Sequence, residues 1–312
     1  MTIRGAVFAI AALFASPAMA KTPYVDLTPQ FEAFFDETAA MDEPARVALF
    51  RERMNALLPG FYEPRYGATE ERYNARVARA LKGFAALRPD YDRTRREFAT
   101  AYAAGIKHFR KEFPGFKPDV PIYLLHALGE MDGGTRELRG KIYLVFGADV
   151  IAREHKGQNI GPFLDHELFH VENGKYFKEC EAVWCGLWIE GLATYAAARM
   201  NPTADDAQLL LTTPGPIRAP TDAKWREALC YTKAKFDSAA AEDYQAFFMG
   251  GHDGPKIFPD RFGYYVGMKL VAGLGGQYTL AQLAQMPPET AKKALIESLE
   301  QASSSAGGCE QN

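Results

Sequence analysis

His166-Glu167-Leu168-Phe169-His170, followed by Trp188-Ile189-Glu190-Gly191-Leu192-Ala193-Thr194-Tyr195, is the stretch on which the reading of this chain turns. Two histidines at i and i+4 lie one turn apart on one face of a helix. Two imidazole nitrogens can then reach a single ion, and a Glu directly after the first can reach a water on it. A catalytic zinc takes a third protein ligand and keeps a fourth position open. Glu190 lies 20 residues beyond His170 and can supply that ligand. Asn173-Gly174 provides a turn between the two segments. The second helix can then pack back on the first and present its carboxylate. The apolar neighbours Ile189 and Leu192 would make an unpaired charge at Glu190 costly.

Outward from this pair, the period is helical on the C-terminal side and mixed on the N-terminal side. Helices are expected at about 162–173, 181–200, 204–212, 222–237, 240–249, 261–274 and 288–302. Upstream, Val120 to His126 and Lys141 to Phe146 read as strands, with a turn region at Gly129 to Gly134. Together these read as a hairpin or meander. Further upstream, Pro29 to about Leu58 is helical, broken near Pro44. Glu70 to Leu87 and Asp90 to Phe113 are two amphipathic helices with solvated, Arg-rich faces. Helices, a short sheet, then more helices make an α+β chain that is mostly helical. Pro114 marks the junction between an N-terminal helical region (21–113) and the region bearing the motif (114–302). A Ser/Gly-rich tail (303–312) reads as flexible.

The chain has 312 residues, 47% hydrophobic and 24% charged, with a formal net charge of −3. That length buries a core without help from a metal, so a metal here would serve chemistry. The absence of a basic excess disfavours nucleic acid as a partner. Arg4, the uncharged run Gly5 to Ala15 and the ending Ala18-Met19-Ala20 form a secretory signal, with the mature chain starting at Lys21. The run is too short to span a bilayer, and the best later segment, Phe262 to Gly276, is interrupted by Lys269. An exported protein, periplasmic or secreted and without a membrane span, is expected. Its cysteines Cys180, Cys185, Cys230 and Cys309 are then read as disulfides or buried thiols rather than a Cys-only zinc site, with the pairing open.

H-E-x-x-H with Glu after nineteen intervening residues resembles the gluzincin class of zinc metallopeptidases. Thermolysin-like enzymes share this spacing, and E-G-L-A-x-Y is similar to the metal-binding helix of the alanyl aminopeptidase family. Pro259-Asp260-Arg261-Phe262-Gly263-Tyr264-Tyr265-Val266-Gly267 resembles the Gly-Tyr-x-x-Gly segment of a family of predicted zinc-dependent proteases. The resemblance covers roughly residues 120–275 and implies a zincin-like core with a small sheet and two zinc-binding helices. It implies one Zn2+ on His166, His170 and Glu190, Glu167 as general base and then general acid, and Tyr264 or Tyr265 as donor to the oxyanion. Arg261 could bind a substrate carboxylate, and His252, in a Gly-rich loop, could reach the cleft. The Lys141 to Phe146 strand would pair with extended peptide or protein substrate.

Two features depart from the pattern. Thr194 stands where thermolysin-like enzymes carry the acidic residue that orients a zinc histidine, so that partner must come from elsewhere. The Gly-x-Met-Glu-Asn signature that reads a substrate amine is absent. The same residues would also serve hydrolysis of a non-peptide or cell-wall amide, or zinc binding without turnover.

Overall fold

The computed structural model describes residues 24–65, 67–178, 180–250 and 257–309. The leader reading falls outside these residues. The chain opens with β1 (Val25–Asp26), α1 (Thr28–Glu37), α2 (Glu43–Leu57) and α3 (Glu70–Glu112). The sheet follows as β2 (Ile122–Leu125), β3 (Gly133–Leu138) and β4 (Lys141–Gly147). A single turn, α4 (Ala148–Val150), runs into a π-helical turn at Ile151–His155. The two helices of the motif are α5 (Gly161–Asn173) and α6 (Val183–Met200). Six more helices close the chain: α7 (Arg218–Asp222), α8 (Trp225–Lys235), α9 (Ala241–Phe248), α10 (Phe262–Leu274), α11 (Leu280–Ala284) and α12 (Pro288–Ser305). The architecture is α+β, mostly helical, with one four-stranded sheet.

Pro44 does separate two helices. It sits in the first turn of α2, where a missing N–H costs nothing, and Asp42 caps that turn by accepting from the Ala45 N–H at 3.0 Å. Pro89 behaves differently. The expected break at Arg88-Pro89 is absent, and α3 is one helix of 43 residues with Pro89 inside it. An interior proline removes one backbone bond and strains the preceding turn. Against that stands an apolar stripe in register on both sides of it. Phe84, Tyr91, Phe98, Tyr102 and Phe109 are all buried, and Phe98 and Tyr102 both pack on Phe146 of the sheet.

The sheet order is β1-β2-β4-β3. The expected pairing of the two apolar strands is corrected in direction: β2 and β4 run parallel, with Ile122 opposite Leu144. The hairpin is instead β3–β4, turned by Arg139 and Gly140, both at positive φ. Two such residues make the tight turn that matches strand twist. β3 reads as turn in the sequence because it begins Gly133-Gly134. β4 therefore lies inside the sheet, and β1 and β3 are its two edges.

The expected helix at 204–212 is absent. Asp205 and Gln208 bond each other's backbone N–H groups at 2.9 and 3.0 Å, which offers the backbone an alternative to the helix. The expected helix at 222–237 is present as α8 (Trp225–Lys235), preceded by the short α7 (Arg218–Asp222). As far as Cys309, the tail is more ordered than its composition suggests. α12 continues to Ser305, and a Cys230–Cys309 disulfide fastens the end to α8. The second disulfide is Cys180–Cys185, at the entrance to α6. The buried apolar residues form one cluster running from Tyr24 to Leu299. Among the described residues, no helix is long and apolar enough to cross a membrane.

Candidate metal centre

α5 and α6 carry the three ligand candidates. α5 presents His166 and His170 on one face, with their Nε2 atoms 3.0 Å apart. α6 packs against it and brings Glu190 Oε2 to 3.4 Å from His166 Nε2 and 3.5 Å from His170 Nε2. Donors about 2.05 Å from a tetrahedral ion lie about 3.3 Å from one another. The three observed separations match that requirement, and the buried or half-buried His166, His170 and Glu190 form a group that could hold a metal ion. Electrostatics agree. Burial works to raise the Glu190 carboxyl, but His170 and His166 outweigh it and hold the group well below the usual carboxylate range. Burial, with His170 and Arg261 nearby, lowers His166 and so favours its neutral, ligating form.

The position of α6 depends on small residues. A Cβ on Gly191 would overlap the backbone of Gly267 in α10, and one on Gly267 would overlap Leu187 O. Gly186 and Gly263 both sit against the Phe248 ring, where a Cβ would clash. The glycines flanking Glu190 and the Tyr264-Tyr265 pair thus let two helices meet backbone to backbone. α5 is fixed from its other side by Asp165, which is fully buried. Asp165 Oδ2 accepts from Asn201 Nδ2, at the end of α6, and pairs with His108 Nδ1 of α3, both at 2.8 Å. Asp165 is the residue that sequence reasoning missed here. The signal available was an Asp preceding the first histidine on a helix that is otherwise apolar at that face.

Glu167 lies beside the ligand group, under β3. A Cβ on Gly133 would come within 2.8 Å of Glu167 Cγ and 2.7 Å of Phe163 Cζ, so only glycine allows the strand to lie so close. Glu167 Oε2 is buried and has no hydrogen-bond partner among the described residues. Burial pushes the Glu167 carboxyl up to about 8, helped by Asp132 and Glu190 and opposed by His170 and Arg136. Asp132 is a second residue that pattern reading missed. It pairs with His155 Nε2 at 3.0 Å and faces Arg261.

Tyr264 and Tyr265, adjacent in α10, point to different surroundings. The Tyr264 ring lies nearly parallel to His166, with centroids 6.3 Å apart. Burial raises its hydroxyl pKa, with Glu190 adding to the effect, so the group stays protonated and can donate. Tyr265 is directed elsewhere. Its hydroxyl donates to Asp222 at 2.9 Å, and its ring packs on Trp225 and under Arg218. Arg261 is half-buried, places its guanidinium 4.2 Å over the Tyr264 ring and donates to Thr213 O at 3.3 Å. It braces Tyr264 and adds positive charge opposite Asp132 and Glu190. His252 lies outside the described residues. Thr194 donates to the Glu190 carbonyl at 2.8 Å, so it does not replace an acidic partner of a zinc histidine. His166 Nδ1 is buried without a partner among the described residues.

A cavity of about 70 Å³ adjoins the centre, lined by Glu190, Gly186, Ile189, Tyr244 and Cys180. The Cys180–Cys185 disulfide forms part of that corner. No protein-family model, curated protein or solved structure matches the chain.

Proposed function

We propose that the protein is an exported zinc-dependent peptidase of gluzincin type, with a zincin-like core. The observation that carries this reading is the convergence of His166 Nε2, His170 Nε2 and Glu190 Oε2 at zinc-ligand spacing, with the unpartnered Glu167 carboxylate alongside. Two nitrogens and one carboxylate oxygen suit zinc and leave room for a fourth ligand. Zinc supplies Lewis-acid polarisation of a carbonyl and of water. Glu167 receives the proton from the attacking water and delivers it to the leaving amine. Its raised pKa favours the return step, and the neighbouring metal charge favours the ionised form needed first. The Tyr264 hydroxyl donates to the developing oxyanion. The edge strand β3, directly over Glu167, offers backbone groups for pairing with an extended substrate.

The two disulfides fit export through an oxidising compartment. The test is removal and return of metal. Chelation abolishes hydrolysis of a mixed peptide library, and equimolar zinc restores it. Hydrolysis that survives complete metal removal would refute the proposal. Release of products from cell-wall amides but not from peptides would reassign the substrate.

A further inference from the structure

A cleft of about 1100 Å³ lies between α3 and the loop from β2 to β3. Arg65, Arg72, Arg76, Arg79, Arg136 and Arg153 line it. The carboxylates in its wall do not match this charge. Glu130 alone serves three guanidiniums: Arg65 at 2.6 Å, Arg76 at 3.3 Å and Arg136 at 3.4 Å. Asp149 is taken by the Ala127 and Gly129 backbone N–H groups, and Glu63 by Arg139 and Asn55. Arg72 and Arg79 are exposed on α3 and have no carboxylate within 4.0 Å among the described residues. A positive surplus with low-dielectric walls concentrates the opposite charge. It does so in a chain whose formal net charge is −3.

Arg136, which lines the cleft, belongs to β3, the strand that lies over Glu167. A Cβ at Gly134 would lie 3.5 Å from Arg136 Nη1 and 3.9 Å from Glu167 Oε2. An extended chain laid along the open edge of β3 therefore passes from the catalytic carboxylate to the arginines. We propose that this cleft receives an acidic segment of the substrate, making carboxylate side chains on one side of the scissile bond its recognition feature. The inference rests on the peptidase reading. Guanidinium pairs suit carboxylates because they bind them with two parallel hydrogen bonds. Nucleic acid fits less well: among the described lining residues the aromatic rings, Tyr73 and His126, are buried, one under Arg51 and the other stacked on Phe31, so they offer no stacking face.

The experiment measures binding and turnover separately. Fluorescence anisotropy is followed on the Glu167→Gln protein with a Glu/Asp-rich peptide, a Lys-rich peptide of equal length and a single-stranded oligonucleotide. The acidic peptide binds, more weakly as salt rises, and the Lys-rich peptide does not. With Glu167 intact, the pair Arg72→Ala and Arg79→Ala raises KM for an acidic substrate about five- to tenfold and leaves kcat and neutral-substrate KM unchanged. Equal binding of the acidic and basic peptides, or no change in the double variant, overturns the inference. So does tighter binding of the oligonucleotide. Acidic-peptide binding without any cleavage by the wild type supports the cleft assignment and removes the peptidase reading. Cleavage indifferent to acidic residues does the reverse.

Discussion

Gly191 of α6 and Gly267 of α10 meet so closely that a side chain on either would enter the other helix's backbone. Glu190 immediately precedes Gly191, and Tyr264 lies one turn before Gly267. The contact therefore sets the distance between Glu190, the proposed third metal ligand, and Tyr264, the proposed oxyanion donor. Gly191→Ala forces the helices apart. Overpacking of this kind costs about 1–3 kcal/mol, so the melting temperature falls. Zinc affinity falls with it, because the third ligand moves relative to the two histidines. Thermal unfolding and zinc titration of the variant check both effects. A Gly191→Ala protein with unchanged zinc affinity would show that the contact does not position the centre.

The two adjacent tyrosines separate chemistry from packing. Tyr264→Phe removes the hydroxyl of the ring that lies parallel to His166 and lowers kcat about 10- to 1,000-fold, with KM little changed. Tyr265→Phe removes the bond to Asp222 and costs about 1 kcal/mol of stability, with kcat retained. Steady-state kinetics and denaturant unfolding of both variants decide the assignment. The reverse pattern would transfer the donor role to Tyr265.

His126 makes a pH prediction away from the metal. It is buried, stacked on Phe31 with ring centroids 3.8 Å apart, and its Nδ1 accepts from the Leu128 N–H. Burial lowers its pKa, partly offset by Asp149. The folded state then binds fewer protons than the unfolded chain just below the ordinary His pKa of about 6.5. Stability from this group is complete above about pH 6.5 and is lost as pH falls below it. His126→Phe keeps the aromatic packing and flattens the slope of stability against pH between about 5 and 6.5. Parallel urea titrations of the two proteins across that window measure the difference. Equal slopes would mean that His126 already protonates in the folded state.

The group that could hold a metal ion was legible because its geometry is local. Helical spacing fixes His166 and His170, and Asn173-Gly174 allows the return that delivers Glu190. The mostly helical α+β class was legible from periodicity for the same reason. Where long-range packing decides, the sequence pattern misleads. Pro89 should end a helix, yet the aromatic stripe on both sides of it holds α3 in one piece. Gly133-Gly134 suggests a turn, yet the glycines are there so that an edge strand can lie on Glu167. Under the proposed function, substrate pairing would then fall to the edge strand β3 rather than to Lys141–Phe146, which is interior. Asp132 and Asp165 carry no motif at all. Their importance comes from partners far away in the chain, His155 for one and His108 with Asn201 for the other. Tyr264 and Tyr265 were indistinguishable by sequence because one helical step separates the metal side from the Asp222 side.

The most direct test is peptide turnover by Glu167→Gln at measured zinc occupancy. Glu167 is not one of the three ligand candidates, and in the proposed mechanism it is the group that moves the proton. Wild type and variant are both predicted to hold one zinc per chain, and the variant to lose about 10²- to 10⁴-fold in kcat. A fully zinc-loaded Glu167→Gln protein that cleaves peptides at the wild-type rate would contradict the account.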